Sequence, residues 1–357
     1  MDGADGMDSM DSLTQVVLGS AVGYAVLGNK VGPKSAIYGA ILGTLPDLDV
    51  FLPYGGEVEA FTYHRGFSHS LLVHLLLSPV FAWLITKFHQ NTAVYKKHWF
   101  WLAFLCLSTH GILDGFTVYG TQLLWPITEY PFAVSNLFII DPVYTLPLLL
   151  AFIVVLLPNI QSTNKSKINV FALIVSSLYV CWSLVAKVYV DQKIETALND
   201  RQIKVDRYLS TPAPLSTLLW RILVMSDGQY YEGYVSVFDS ASDVSLDVHN
   251  SSDFLLENIQ DEWAVQRLQW FTKGFYSVTQ EKQNIVLSDL RMGAECSYVF
   301  NFIVGEQTNT GIVVSDFEKY SVQPDLSQIG SIWDRIFDPS VSLAPAKKNG
   351  VCVTRKN

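Results

Sequence analysis

Eight polar residues stand in a chain that is otherwise unusually apolar: Asp47, Asp49, His64, Arg65, His69, His110, Asp114 and Asp141. Carboxylates and imidazoles in this mixture are the donor set of hydrolytic metals such as zinc and manganese. Asp47 and Asp49 follow Pro46 at the end of an apolar segment. Two carboxylates at i and i+2 do not share a helix face, but in a turn both can point at one ion. His64, Arg65 and His69 open the next apolar segment, with Gly66 between them to let the chain turn tightly. His110 and Asp114 stand at i and i+4, on one face of a helix, where they can bind one metal or pair as ligand and supporting carboxylate. Asp141 precedes Pro142, a pattern that suits a helix N-cap as well as a ligand or base.

Each group also has a plain structural reading. An Asp pair can end a helix at an interface, histidines can sit there without function, and an arginine can snorkel to water. His74 reads as a hydrogen-bonded bundle residue, and His89, His98 and His249 as surface residues. What favours chemistry is cost: ionisable groups beside apolar segments are expensive and usually mark function.

The elements that must position these groups are apolar. Half of the 357 residues are hydrophobic and 16% are charged, a composition suited to a membrane protein with a soluble part. Six apolar segments stand out, over 13–27, 35–45, 68–86, 98–113, 139–158 and 168–186. The fold expected is therefore an α-helical integral membrane bundle of about six membrane segments, followed by a small α+β soluble domain. Its parts are a disordered extension over 1–12, with Met10 a candidate natural start, a membrane domain over 13–190, a soluble domain over 191–316 and a poorly structured tail over 317–357.

The N-terminus lacks the basic region and cleavage site of a signal peptide. In the soluble part, 218–225 and 229–237 flank an Asp227-Gly228 turn and read as a hairpin, 257–272 reads as a helix, and 275–279, 284–290 and 296–304 read as strands.

Lysines 30, 34, 87, 96, 97, 165 and 167 fall in one set of loops, whereas the opposite loops hold Arg65 alone. The positive-inside rule then puts the Asp/His residues and the C-terminal domain on the extracytoplasmic face. A net charge of −9 and the lack of a basic patch argue against nucleic acid as a partner. Of the four cysteines, Cys106 and Cys181 lie in apolar segments, while Cys296 and Cys352 could form one disulfide that spacing alone does not reveal.

The stretches DSLTQVVLGSAVGYAVLG, GTLPDLD, FTYHRGFSHSLL, THGILDGFTVYGTQLLWP and FIIDPVYTLPLLL, in this order over residues 10–190, resemble the YdjM-like family of bacterial inner-membrane-associated metal-dependent hydrolases. The stretch PLSTLLWRILVMSDGQYYEGYVSVFD looks like the C-terminal extension of a longer subgroup. The resemblance implies a metal site at the polar positions and names no substrate.

Together these readings point to a membrane-bound hydrolase at the outer boundary of the bilayer. Asp47, Asp49, His64, His69, His110 and Asp114 are its candidate ligands for a divalent ion, zinc first and manganese as an alternative. Six donors exceed one tetrahedral zinc and would admit two ions. Arg65 would bind an oxyanion and Asp141 or Asp49 would act as base. Membrane lipids are the expected surroundings, and a lipid or lipid-linked phosphoester the expected substrate. The rival is a non-catalytic membrane protein whose cluster is a structural metal staple or an ion pathway, with the C-terminal domain binding a partner. Oligomeric state is not readable.

Overall fold

A computed structural model describes residues 4–322, 329–345, 347–348 and 351–352. The chain divides into two compact units, one of residues 1–52 and 63–183, the other of residues 53–62 and 184–357.

The first unit is helical. Helices α1 (Ala4–Val31) and α2 (Lys34–Thr44) form an antiparallel hairpin, and a 3-10 turn over Leu45–Phe51 follows. A short helix, α3 (Glu57–Tyr63), lies almost wholly in the second unit. Next come a 3-10 turn over Phe67–His69, then α4 (Leu71–Phe88), α5 (Lys96–Asp114), α6 (Pro142–Leu156) and α7 (Ser162–Asp200). The α1–α2 contact is glycine on glycine. A Cβ on Gly19 would stand 2.3 Å from the Gly39 carbonyl oxygen, and one on Gly39 would stand 2.2 Å from that of Gly19. Only bare backbones pack this closely. Around the hairpin, Leu27, Leu42, Ala82, Ile85, Trp99, Leu102, Ala103 and Cys106 make one buried cluster. A second is built from α1, α5, α6 and α7 around Val17, Leu113, Leu148 and Ala172.

The second unit is built mainly of antiparallel sheet. Strands β1 (Arg207–Pro212), β2 (Leu219–Ser226), β3 (Gln229–Ser236) and β4 (Ser245–Asn250) pair in that order. Helix α8 (Trp263–Phe271) precedes a five-stranded sheet of β5 (Tyr276–Glu281), β6 (Asn284–Asp289), β7 (Asn301–Thr308) and β8 (Gly311–Val314), with β9 (Lys319–Tyr320) also pairing β7. The last turns of α7 cover the first sheet, where Val190, Ile194 and Leu198 pack on Trp220, Ile222 and Val235. Phe61 of α3 packs against Phe271, Phe300 and Phe302.

Two expectations of fold are corrected. Among the described residues only α4 and α7 are long and apolar enough to cross a membrane, not about six helices. Length excludes α2, whose 11 residues span roughly 16 Å at 1.5 Å per residue, and α6, whose 15 residues span roughly 22 Å against a core of about 30 Å. Composition counts against α5, which starts Lys96-Lys97-His98 and ends on His110 and Asp114. The topology built on six segments loses its count.

The small α+β domain is in turn a sizeable antiparallel sheet domain. The Asp-Gly hairpin is present as β2–β3, with Ser226 opposite Gln229. The strands that were missed are those without apolar alternation. β4 lies on the sheet edge and is mostly exposed, and β8 has four residues. The segment expected to be an unstructured tail contains α9 (Ile329–Phe337), whose Ile336 is fully buried. At the other end, α1 already begins at Ala4, and residues 1–3 lie outside the described set.

Candidate metal centre

Four donor atoms converge in the first unit: Asp47 Oδ1, His69 Nε2, His110 Nε2 and Asp114 Oδ2. His69 Nε2 is 3.3 Å from Asp47 Oδ1 and 3.1 Å from Asp114 Oδ2. His110 Nε2 is 3.2 Å from Asp47 Oδ1 and 3.4 Å from Asp114 Oδ2. The two Nε2 atoms are 3.0 Å apart. Donors held about 2.0–2.1 Å from a tetrahedral ion are separated by about 3.3–3.4 Å. These five spacings, 3.0–3.4 Å, lie close to that figure, and all four atoms fall within 4.8 Å of one another.

Each donor comes from a different local cause. Pro46 opens the 3-10 turn that turns Asp47 inward and buries Asp49. His69 ends the 3-10 turn before Ser70, which caps α4 by accepting from the Val73 N–H. His110 and Asp114 lie one turn apart on α5.

The groups behind the donors fix the state of the imidazoles. His110 Nδ1 lies 2.6 Å from the Gly43 carbonyl, which can only accept, so Nδ1 carries the proton. Ser68 Oγ donates to Asp49 Oδ2 at 2.6 Å and stands 2.9 Å from His69 Nδ1, so it accepts from that nitrogen. Both Nε2 atoms therefore present bare lone pairs, to each other and to two carboxylate oxygens. As neutral rings neither has a proton at Nε2, and Asp114 Oδ2 accepts no hydrogen bond of good geometry. Lone pairs facing one another in a buried space call for a cation. Metal-binding histidines are normally held in this way through the other ring nitrogen.

The same demand appears in the ionisation of the groups. Burial works to raise the Asp47 carboxyl, but the charge of His110 and hydrogen bonds to His110 and His69 outweigh it and hold it far below the usual range. Burial works to lower His69, but hydrogen bonds to Asp114 and Asp47 outweigh it and raise the imidazole. Where no metal ion supplies the positive charge, a proton on imidazole must.

The remaining expected residues fall around this centre rather than in it. Asp49 accepts from His64 Nδ1 at 2.8 Å, from the Arg65 N–H at 3.1 Å and from Ser68 Oγ. Its carboxyl is lowered, burial being outweighed by the His64 hydrogen bond. It holds the 64–69 loop and braces His69 through Ser68. His64 lies at the rim with a side chain 24% exposed, its ring edge-on to Tyr119.

Arg65 is buried, with Nε 3.3 Å from Asp114 Oδ2, Nη1 donating to Thr117 Oγ1 and the guanidinium over the Tyr119 ring. It positions Asp114 and is not turned outward to bind an oxyanion. The left-handed residue of this turn is Arg65 itself (φ 59°) rather than Gly66, a strained choice held by its backbone bonds to Asp49 and Gln122.

Asp141 is the N-cap of α6, accepting from the Val143 and Tyr144 N–H groups and from Tyr179 Oη. Burial raises its carboxyl despite these bonds. His74 donates to the Ser68 carbonyl and so props the same turn from below. Gln15, which sequence reasoning missed, donates to Asp114 Oδ1 at 2.8 Å from α1. A lone glutamine in a glycine-rich apolar helix was the available signal.

The side chains of His69, His110 and Asp114 are 0–1% exposed, and that of Asp47 is 19% exposed. Access is therefore past Asp47.

The curated protein YfhP of Bacillus subtilis, described as uncharacterized, is 26% identical over 249 residues, which cover 66% of this chain and 73% of that protein. No solved structure matches the chain. The model of the YdjM inner membrane protein family matches residues 10–190, all four convergent donors included, and the chain belongs to that family.

Proposed function

We propose that this protein is a membrane-bound, metal-dependent hydrolase with one divalent ion held by Asp47, His69, His110 and Asp114. The observation that carries the reading is the meeting of four donor atoms at metal-ligand spacing, with the Nδ1 of each imidazole turned to Gly43 or Ser68 so that both Nε2 atoms face the centre. Zinc fits the mixed His/Asp donors and the tetrahedral spacing, and manganese fits the same donors with positions to spare.

The ion, when bound, would make a water nucleophilic near neutral pH. The chain's residues would do the rest. Asp47, on the open side, takes the proton of the attacking water. His69 and His110 stay neutral at Nε2 because Ser68 and Gly43 hold their Nδ1 protons. Arg65 and Gln15 keep Asp114 from swinging away.

The expected substrate is a lipid or lipid-linked phosphoester. Its support is the placement of His69 two residues before Leu71, the first residue of the candidate span α4, together with the exposed Leu48, Val50, Phe51 and Leu52 around Asp47. An amphiphile could reach the ion across such a rim. The side away from the cytoplasm is supported by Cys296, which is disulfide-bonded, since disulfides persist in oxidising compartments.

A second reading is a structural metal staple. Four protein donors can fill the shell of a tetrahedral zinc, and three of them are fully buried. Purified protein in phosphatidylglycerol vesicles separates the two. Under the first reading it releases phosphate or an alcohol from a lipid phosphoester, and chelation abolishes this reversibly. Absence of turnover on a panel of such esters, with unfolding on chelation, would leave the staple.

A further inference from the structure

One end of the helical unit gathers its lysines. Lys30 lies in the last turn of α1 and Lys34 opens α2, Lys87 lies in the last turn of α4, Lys96 and Lys97 open α5, and Lys167 lies near the start of α7. In sequence they are spread over three loops and form no basic run. Contacts bring those loops together. Lys30 Nζ lies 5.0 Å from the centre of the Tyr95 ring, the Tyr38 hydroxyl is 2.9 Å from His89 Nε2, and Ser166 Oγ donates to Asn29 at 2.7 Å. The metal centre uses the other ends of α1, α2 and α5, through Gln15, the Gly43 carbonyl and Asp114. Lys30 stands roughly 22 Å along α1 from Gln15 at 1.5 Å per residue.

No carboxylate of these loops balances them. All six lysines are exposed, and segments 28–38, 85–101 and 157–168 contain no Asp or Glu. The ion-paired lysines among the described residues are Lys187, Lys204 and Lys319 instead. Lys34, Lys96 and Lys97 also stand in the first turns of α2 and α5, which have neither an acid nor a side-chain cap there. Cations at that end of a helix work against its dipole, and an anion nearby removes the cost. The same surface is also apolar. Phe88 and Val94, between Lys87 and Lys96, are 78% and 82% exposed. Lys87 Nζ lies 5.1 Å from the centre of the Trp83 ring. A free anion or a nucleic acid would cover the charges and leave these apolar side chains in water. A ligand with an acyl chain beside its negative charge covers both.

We propose that this end of the helical unit binds the phosphates of anionic phospholipids, with the six lysines at headgroup depth and Phe88 and Val94 among the upper acyl carbons. The inference needs no turnover at the metal centre. It rests on the reading of α4 as a membrane span, since Lys87 and Phe88 close that helix. Lysine clusters directly beside a span attract anionic headgroups, and lysine paired with Trp or Tyr suits the boundary layer of a bilayer.

The test uses the full chain in phosphatidylcholine vesicles holding a small fraction of phosphatidylglycerol. Val94→Cys, Leu76→Cys and Phe51→Cys are made separately in a Cys181→Ser background and labelled with a fluorophore. Each is quenched with nitroxide-bearing phosphatidylglycerol and, at equal content, with nitroxide-bearing phosphatidylcholine. Both lipids should quench position 76 on α4. Position 94 should be quenched several-fold more by the anionic lipid, with no such preference at position 51 near the metal centre. Lys87→Gln, Lys96→Gln and Lys97→Gln together should lower the preference at 94 by up to about fivefold per lysine, and the same three changed to Arg should keep it. Equal quenching of 94 by the two lipids, an equal preference at 51, or a preference that survives the glutamine changes overturns the proposal. Quenching at 76 with none at 94 overturns it too, because that end then lies outside the bilayer, and loss of quenching at 76 removes the span with it. A probe at 94 that answers to a short oligonucleotide and shows no lipid preference overturns it in favour of nucleic acid.

Discussion

Two buried charge clusters in this molecule solve opposite problems. In the sheet domain every buried acid among the described residues has its own guanidinium. Arg221 meets Glu232 at 2.7 Å, Arg291 meets Asp289 at 2.7 Å, and Arg335 meets Asp239 at 2.8 Å. Tyr298 and the Leu290 carbonyl take up further hydrogen bonds around Arg221 and Glu232. In the helical unit the Arg65 guanidinium meets Asp114 alone, while Asp47 faces His69 and His110 and Asp49 faces His64. Asp47 thus faces imidazole nitrogens rather than a matching cation of its own, and Asp114 faces them as well as Arg65. Buried charge without a partner is costly. The first cluster is complete as protein, and the second becomes complete only with something the chain does not contain.

The contrast can be broken at its strongest point first. His69→Ala or Asp114→Ala removes one of four donors, and metal analysis of the purified protein should find the ion lost. Unchanged metal content in both variants would sink the proposed ligand set. In the sheet domain the corresponding change, Arg221→Ala, strands Glu232 and should cost about 3–5 kcal/mol of stability, read by denaturation, while metal content stays at the wild-type level. A variant of either cluster that damaged both properties alike would erase the distinction.

Smaller effects sharpen it. Ser68→Ala and Gln15→Ala leave all four donors in place but free His69 or Asp114 to move, and should weaken metal affinity about 10–100-fold, measured by competition with a chelator. Gly19→Ala forces a Cβ against the Gly39 carbonyl and should destabilise the helical unit by about 1–3 kcal/mol. A thermal melt that matched wild type would contradict the close α1–α2 contact.

The smallest test is pH. His69 is raised above its ordinary 6.5 in the folded protein. In chelated protein the stabilisation this brings is full below about 6.5 and is lost as pH rises through the raised value. Loaded protein should do the reverse, holding its ion at neutral pH and losing it on acidification as protons compete for the imidazoles. Melting temperatures of the two forms should therefore move in opposite directions between acid and neutral pH.

Sequence by itself determined the chemistry available. Asp, His and Arg near apolar segments, the i, i+4 pair of His110 and Asp114, the Asp141-Pro142 cap and the Asp227-Gly228 turn all act through local geometry, and each is legible from spacing. Tertiary structure decided which of six candidate donors share a point. Asp47 and Asp49 differ by two residues yet serve different roles, because the 3-10 turn after Pro46 turns one toward His110 and the other toward His64. The number of candidate spans was also decided there. Apolar segments read alike whether they cross a bilayer or pack as a short glycine hairpin, and only helix length and partner distinguish them. Gln15, Ser68 and the Gly43 carbonyl entered the site for the same reason: their contribution lies in where α1, α2 and the 64–69 loop meet, a distance no single stretch of the chain encodes.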